Sequence, residues 1–212
     1  NQRKQDASPG AIGRAAAYAD SVTAAYLGMW VAHAARAAGQ PPDRPLEGIR
    51  VLEIGPGATL GIPVLLACAG AHVTVCDRFP AGWDPDFHPA FFTALLRRVE
   101  SRGPRFTVPL RRLLHDGAFT PDVLDTYDTG AEQLAGIGRT FDLVFSNAVL
   151  EHVEDLHVAV ANIAHVMAPG AVGFHQVDFR DHRNFDQPLE YLTIPRERFA
   201  ASRREEFCER GA

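Results

Sequence analysis

One short segment constrains the fold more than any other. Residues 49–54 form an apolar, β-branched-rich run that ends in Gly55-Pro56-Gly57. Residues 60–69 follow with a helical pattern, and residues 71–76 form a second apolar run that stops at Asp77. Pro63 falls in the first turn of the helix, where its missing N–H has no intrahelical partner to lose. Strand, glycine turn, helix, strand and acid make one βαβ unit, whose strands are expected to lie parallel with a right-handed crossover.

The same alternation continues downstream. Residues 141–146 read as a buried strand, 148–167 as a helix broken near Asp155, Pro169-Gly170 as a turn, and 171–177 as the next strand. Residues 123–127 carry the weaker pattern of a third strand, and 89–100 read as a helix. The expected class is therefore α/β: a doubly wound, mostly parallel sheet covered on both faces. Residues 1–12 read as a disordered lead-in. Residues 13–38 read as an added helix with Tyr18, Val22, Tyr26, Met29 and His33 or Ala34 near helical spacing, stopped by Gly39 and Pro41-Pro42. The expected division is a helical segment at 13–45, a core at 46–180 and a polar, truncated segment at 181–212. The added helix is either packing or a lid.

Composition excludes several function classes. Of 212 residues 46% are hydrophobic and 22% charged, which are globular values. A net charge of −5 argues against a general nucleic-acid or anionic-membrane partner. The three cysteines, Cys68, Cys76 and Cys208, lack disulfide or zinc spacing, so a reducing cytoplasmic setting is expected. The longest apolar stretch, 58–75, is interrupted by Pro63, Gly70 and His72 and reads as helix plus strand.

A glycine turn between strand and helix lets a ligand approach the backbone closely, and both dinucleotides and S-adenosylmethionine use one. The dinucleotide pattern asks for glycine or alanine three residues after the second glycine. Leu60 occupies that place and Gly61 comes one later. Glu53, two residues before the turn, would repel a pyrophosphate but attract an ammonium and a sulfonium. Asp77 stands where a carboxylate accepts from ribose hydroxyls, which serves either cofactor.

The ordered set VLEIGPGATLG (51–61), Asp77, FDLVFSNAVLEHVEDL (141–156) and MAPGAVGFHQVDF (167–179) resembles the successive motifs of the class I, seven-strand S-adenosylmethionine-dependent methyltransferases. The resemblance covers roughly residues 49–180. It implies that Glu53, Gly55, Pro56 and Gly57 border the methionine part of the cofactor and that Asp77 and Arg78 flank the ribose. It implies further contacts at Ala131 and Glu132 and backbone contacts near Ser146 and Asn147. Two positions depart from the pattern. Where relatives carry an acid for the adenine amino group, this chain has Gly130, leaving Asp128, Glu132 or backbone for that contact. Residues 181–212 are also too polar and short to supply the family's final β-hairpin.

Methyl transfer from a sulfonium is an in-line displacement, so the protein aligns the acceptor, excludes water and manages a proton. His152 is the first candidate base; capping the helix or packing under the cofactor is its structural alternative. A second cluster, Asp178, Asp181 and His182, offers a base with an orienting acid; a divalent metal there is not expected. In a strand, His175 faces away from Asp178. The arginines at 97, 98, 102, 105, 111 and 112 read as a solvated face or an anion contact, and the aromatics at 79–92 as a pocket wall or as packing. The expected function is O-methylation of a small molecule. The alternatives are a small-molecule N-methyltransferase, a non-catalytic S-adenosylmethionine-binding subunit and an NAD-dependent oxidoreductase. The chain has Ser146-Asn147-Ala148-Val149 in place of the Pro-Pro motif of nucleic-acid amino-methylating enzymes.

Overall fold

The computed structural model describes residues 5–34, 39–181 and 184–198. The described chain divides into two units, 1–176 and 177–212. The first holds the sheet. Its elements are α1 (Pro9–His33), β1 (Arg50–Ile54), α2 (Gly61–Cys68), β2 (His72–Asp77), α3 (His88–Val99), α4 (Pro104–Asp116), β3 (Asp125–Asp128), β4 (Phe141–Asn147), α5 (Leu156–Val166) and β5 (Met167–Gln176). Short 3-10 helices add Ala131–Ile137 and Leu150–His152.

All five strands pair in parallel, in the order β3-β2-β1-β4-β5. The chain winds outward from β1 in one direction and then in the other, which leaves a crevice at the carboxyl ends of β1 and β4, where the order reverses. Both faces of β1 are buried, as a central parallel strand requires. On one face Val51, Val73, Val75, Leu143 and Phe145 pack against α1, α2, α3 and α4. On the other, Leu52, Ile54, Cys76 and Val144 meet the 131–137 helix and α5. Cys68 and Cys76 are buried free thiols, each pushed up to about 12, chiefly by burial. They serve as small apolar side chains. No described helix is long and apolar enough to cross a membrane.

Arg50 clips the start of the sheet together. Its backbone N–H and its guanidinium both donate to the buried Asp142 carboxylate, the guanidinium with two contacts of 3.0 Å.

Three local expectations change and one stands. α1 begins at Pro9 rather than Gly13, because the Ser8 hydroxyl accepts from Ala11 N–H and Pro sits in the first turn. The basic stretch is a helix, α4, whose Phe106, Leu110 and Leu113 are buried beneath a surface of ion-paired arginines. β5 starts at Met167 and absorbs Pro169-Gly170 as a bulge against β4, where a separate turn was expected. The break near Asp155 is real, and the Asp155 side chain caps α5 by accepting from Val158 N–H. In the second unit Tyr191 donates to Phe179 O at 2.8 Å, and the Asp178 carboxylate is held by the Arg180 guanidinium. Among the described residues of that unit no strand forms.

Candidate cofactor and active site

β1 delivers Glu53 to the crevice. It pairs with Val75 on one side and Phe145 on the other, and it shares its face with Val51. It is 1% exposed, and its Oε2 has no hydrogen-bond partner among the described residues. Burial raises its carboxyl well above the usual carboxylate range. An acid so enclosed stays protonated or awaits a cation.

The chain then turns through Gly55 and Gly57, at φ +65° and +68°, and Leu60, at +52°. Glycine adopts this left-handed backbone without cost, whereas Leu60 is strained there. A Cβ on Gly55 would lie 2.6 Å from Val149 Cγ2, in the loop after β4, but one on Gly57 would meet nothing within 4 Å. The turn is thus closed on the Val149 side and open at Gly57. A Cβ on Gly61 would sit 2.7 Å from Phe91 and 2.8 Å from Ala19. That glycine packs α2 against α1 and α3 and has no part in a phosphate cradle.

Asp77 ends β2, and one of its carboxylate oxygens accepts from Phe79 N–H at 2.8 Å. The departure at Gly130 has a physical counterpart. Arg78 crosses the space that a side chain would fill, its Nε 2.6 Å from the position of a Cβ at residue 130, and it pairs with Glu132 at 3.1 Å. Glu132 also accepts from Glu154 N–H at 2.9 Å. Partial burial works against its charge, but this bond and Arg78 hold it below the usual range overall. Both Glu132 oxygens are therefore engaged, and Asp128 is exposed. Ala131 is buried beside them.

At the end of β4, Ser146 is fully buried. Its carbonyl accepts from Tyr26 Oη at 2.9 Å, and its Oγ lies 2.9 Å from His175 Nδ1. Asn147 donates to Tyr18 Oη, and its own Oδ1 is buried without a partner among the described residues. Burial, then the nearby Glu53, raises the Tyr26 hydroxyl. α1 therefore packs on the core and also reaches the crevice through two tyrosines. Sequence reasoning saw these only as helical spacing. The available signal was that a buried tyrosine needs a partner for its hydroxyl.

The base candidates fall in different segments of the chain. His152 is exposed on the 3-10 helix just after β4. Asp178 belongs to the second unit and holds Arg180, and His182 lies outside the described residues. His175 is half-buried and turned against Ser146, and burial lowers its pKa. A cavity of about 650 Å³ opens at the opposite end of the sheet, lined by Arg50, His72, Asp125, Arg139 and His165 among others. In parallel α/β sheets ligands bind at the carboxyl ends of the strands, so this groove is not the cofactor site.

A family model described as a methyltransferase domain matches residues 30–207. The ubiquinone biosynthesis O-methyltransferase of Mesorhizobium japonicum is 30% identical over 131 residues, 62% of this chain and 41% of that protein. The enzyme of the same description from Methylocella silvestris is 32% identical over 157 residues, 72% and 50% respectively. The chain spans half or less of the length of these relatives. Among solved structures, coclaurine N-methyltransferase bound to N-methylheliamine and S-adenosylhomocysteine is 14% identical with a TM-score of 0.42, covering 74% of this chain and 36% of that one. The CurJ carbon methyltransferase is 17% identical with a TM-score of 0.37, covering 65% and 30%. Matched by the family model over most of its length, and carrying the five-strand parallel sheet with its glycine turn, the chain belongs to the methyltransferase-domain family, of the class I, S-adenosylmethionine-dependent kind.

Proposed function

We propose that this chain is the cofactor-binding and catalytic core of an O-methyltransferase acting on a small hydroxylated molecule. One observation carries the reading of the site: the buried Glu53 carboxyl with an unpartnered Oε2, beside a left-handed glycine turn that is open at Gly57. Such an acid fits the ammonium of a methionine moiety and opposes a pyrophosphate. When bound, S-adenosylmethionine supplies an activated methyl group on sulfur.

The chain's own residues do the rest. Glu53 holds the ammonium, and Gly55, Pro56 and Gly57 let the ligand approach the backbone. Asp77 accepts from the ribose hydroxyls. Arg78, locked to Glu132 across Gly130, borders the nucleoside with Ala131. Ser146 and Asn147 end β4 beneath the methyl donor, and the buried Asn147 Oδ1 is an acceptor in want of a donor. A hydroxyl acceptor must lose a proton as the oxygen–carbon bond forms. His152, exposed just past β4, is the proposed base, with Asp178 and His182 as the alternative pair. The named relatives support transfer to oxygen. The net charge of −5 favours a small acceptor over nucleic acid, and the buried free thiols suit a reducing cytoplasm.

The test is calorimetric titration with S-adenosylhomocysteine and NADH, followed by turnover of S-adenosylmethionine on a panel of hydroxylated and amine acceptors. Binding of S-adenosylhomocysteine with methylation of a hydroxyl is expected. Binding without turnover on any acceptor would leave a non-catalytic subunit. Methylation only of amines would move the acceptor to nitrogen, and binding of NADH alone would refute the cofactor.

A further inference from the structure

His88, outside every motif discussed so far, touches the turn that the proposed function assigns to the cofactor. It opens α3 and is 1% exposed. Its Nδ1 accepts from Asp84 N–H at 2.7 Å, and its Nε2 lies 3.0 Å from Ala58 O, in the turn just after Gly57. An N–H can only donate and a carbonyl can only accept, so the two partners fix one tautomer: lone pair on Nδ1, proton on Nε2. A neutral imidazole satisfies both contacts. An imidazolium cannot, because its second N–H would face the Asp84 N–H.

The ring is also clamped in place. Phe119, Trp83, Phe87 and Phe92 surround it, with centroids 5.0, 5.2, 5.4 and 5.7 Å away. These come from the segment after α4, the loop before α3, and α3 itself. Asp84 is the charged side chain facing the ring, and its Oδ1 accepts from Asp86 N–H. The remaining contact is the Ala58 carbonyl. A histidine in such surroundings usually earns the bland description of a satisfied core residue. Here one of its two bonds ends in the turn, between two left-handed glycines and the strained Leu60.

We infer that His88 is a positioning residue for the cofactor turn: its neutral ring ties the Ala58 carbonyl, through Nε2–H, to the Asp84 N–H that Nδ1 accepts, and protonating the ring breaks the Asp84 end of that tie and weakens cofactor binding. This rests on the reading that the turn holds S-adenosylmethionine. Burial, partly opposed by the contacts to Ala58 and Asp84, lowers the pKa of His88, so the ring is neutral at and above neutrality and the Asp84 end of the tie is lost as pH falls. Glu53 also titrates, in the direction that weakens a cation's binding at low pH, so the experiment must separate the two groups.

The experiment is calorimetric titration of S-adenosylhomocysteine from pH 8 to pH 5.5 on the wild type, His88→Gln and His88→Phe, with melting temperatures measured without ligand. Gln keeps an amide donor for Ala58 O that does not titrate. It is expected to bind within about threefold of wild type at pH 8 and to lose affinity less steeply on acidification. Phe keeps the aromatic packing and removes the donor, and it is expected to bind roughly tenfold more weakly at pH 8, the scale of one lost hydrogen bond. The inference is overturned if His88→Gln follows the wild-type pH curve throughout, since the dependence then belongs to Glu53. It is also overturned if His88→Phe melts lower yet binds as wild type. If His88→Phe does not fold, the pH curve of His88→Gln decides. Absence of binding by the wild type at every pH would instead refute the cofactor reading itself.

Discussion

At the scale of single residues, the acid in front of the turn is the most consequential. Burial raises the Glu53 pKa, so the folded chain holds a proton that the unfolded chain releases above the usual glutamate range. Stability from this group is fully present at low pH and is lost as pH rises toward the raised folded value. Glu53→Gln should therefore flatten that decline and stabilise the ligand-free protein at pH 7.5, on the order of 1–3 kcal/mol. The same change should weaken S-adenosylhomocysteine binding. Melting curves against pH, paired with titrations, check both signs; a variant that binds normally would remove Glu53 from the site. Asp77→Ala should weaken that ligand by roughly 1–3 kcal/mol, the scale of hydrogen bonds to a charged group. Unchanged affinity in the same titration would displace the ribose contact. These two acids were legible in the sequence because each sits beside a local signal, a glycine turn or a strand end. The Arg78–Glu132 pair over Gly130 was not legible, because it joins segments far apart in the chain and one partner is a missing side chain.

At the scale of elements, the sequence exposed what local periodicity encodes. β1, α2, β2, β4 and the break near Asp155 lie close to where the sequence pattern put them. α4 was hidden by Pro109 and by arginines on its exposed side, although Phe106, Leu110 and Leu113 carry the buried stripe. The meeting of α1, α2 and α3 at Gly61 is a tertiary event with no local signal. A methyl group there would press on Phe91 and Ala19. Gly61→Ala should cost about 1–3 kcal/mol by overpacking, less whatever alanine returns in helix propensity. Denaturant unfolding would show a lower midpoint with an unchanged slope. An unchanged or higher midpoint would mean that these helices part without cost.

At the scale of the whole molecule, the sheet separates two concavities by its own length. The crevice at the carboxyl ends of the strands carries Glu53, Asp77, Ser146 and Asn147. A second groove lies at the amino ends, beside the ion pair of Arg139 with Asp125 at 2.6 Å. Arg139→Ala breaks an exposed pair worth little to stability and should leave S-adenosylhomocysteine affinity within about twofold of wild type. A large loss in titration would relocate the ligand. Fold class was readable from strand and helix alternation, but the acceptor was not. Acceptor recognition needs side chains from several segments, and the second unit, with Asp178, is a separate body here.

The contact between Val149 and Gly55 links two loops that are far apart in the chain. One follows the strand carrying the cofactor acid, and the other leads to the proposed base. With an imaginary methyl on Gly55 only 2.6 Å from Val149, neither loop can shift toward the other without collision. The loops after β1 and β4 therefore mesh like two gear teeth at residues 55 and 149. A bulkier side chain at 149 would be felt first in the backbone of the glycine turn, one loop wedging the other aside.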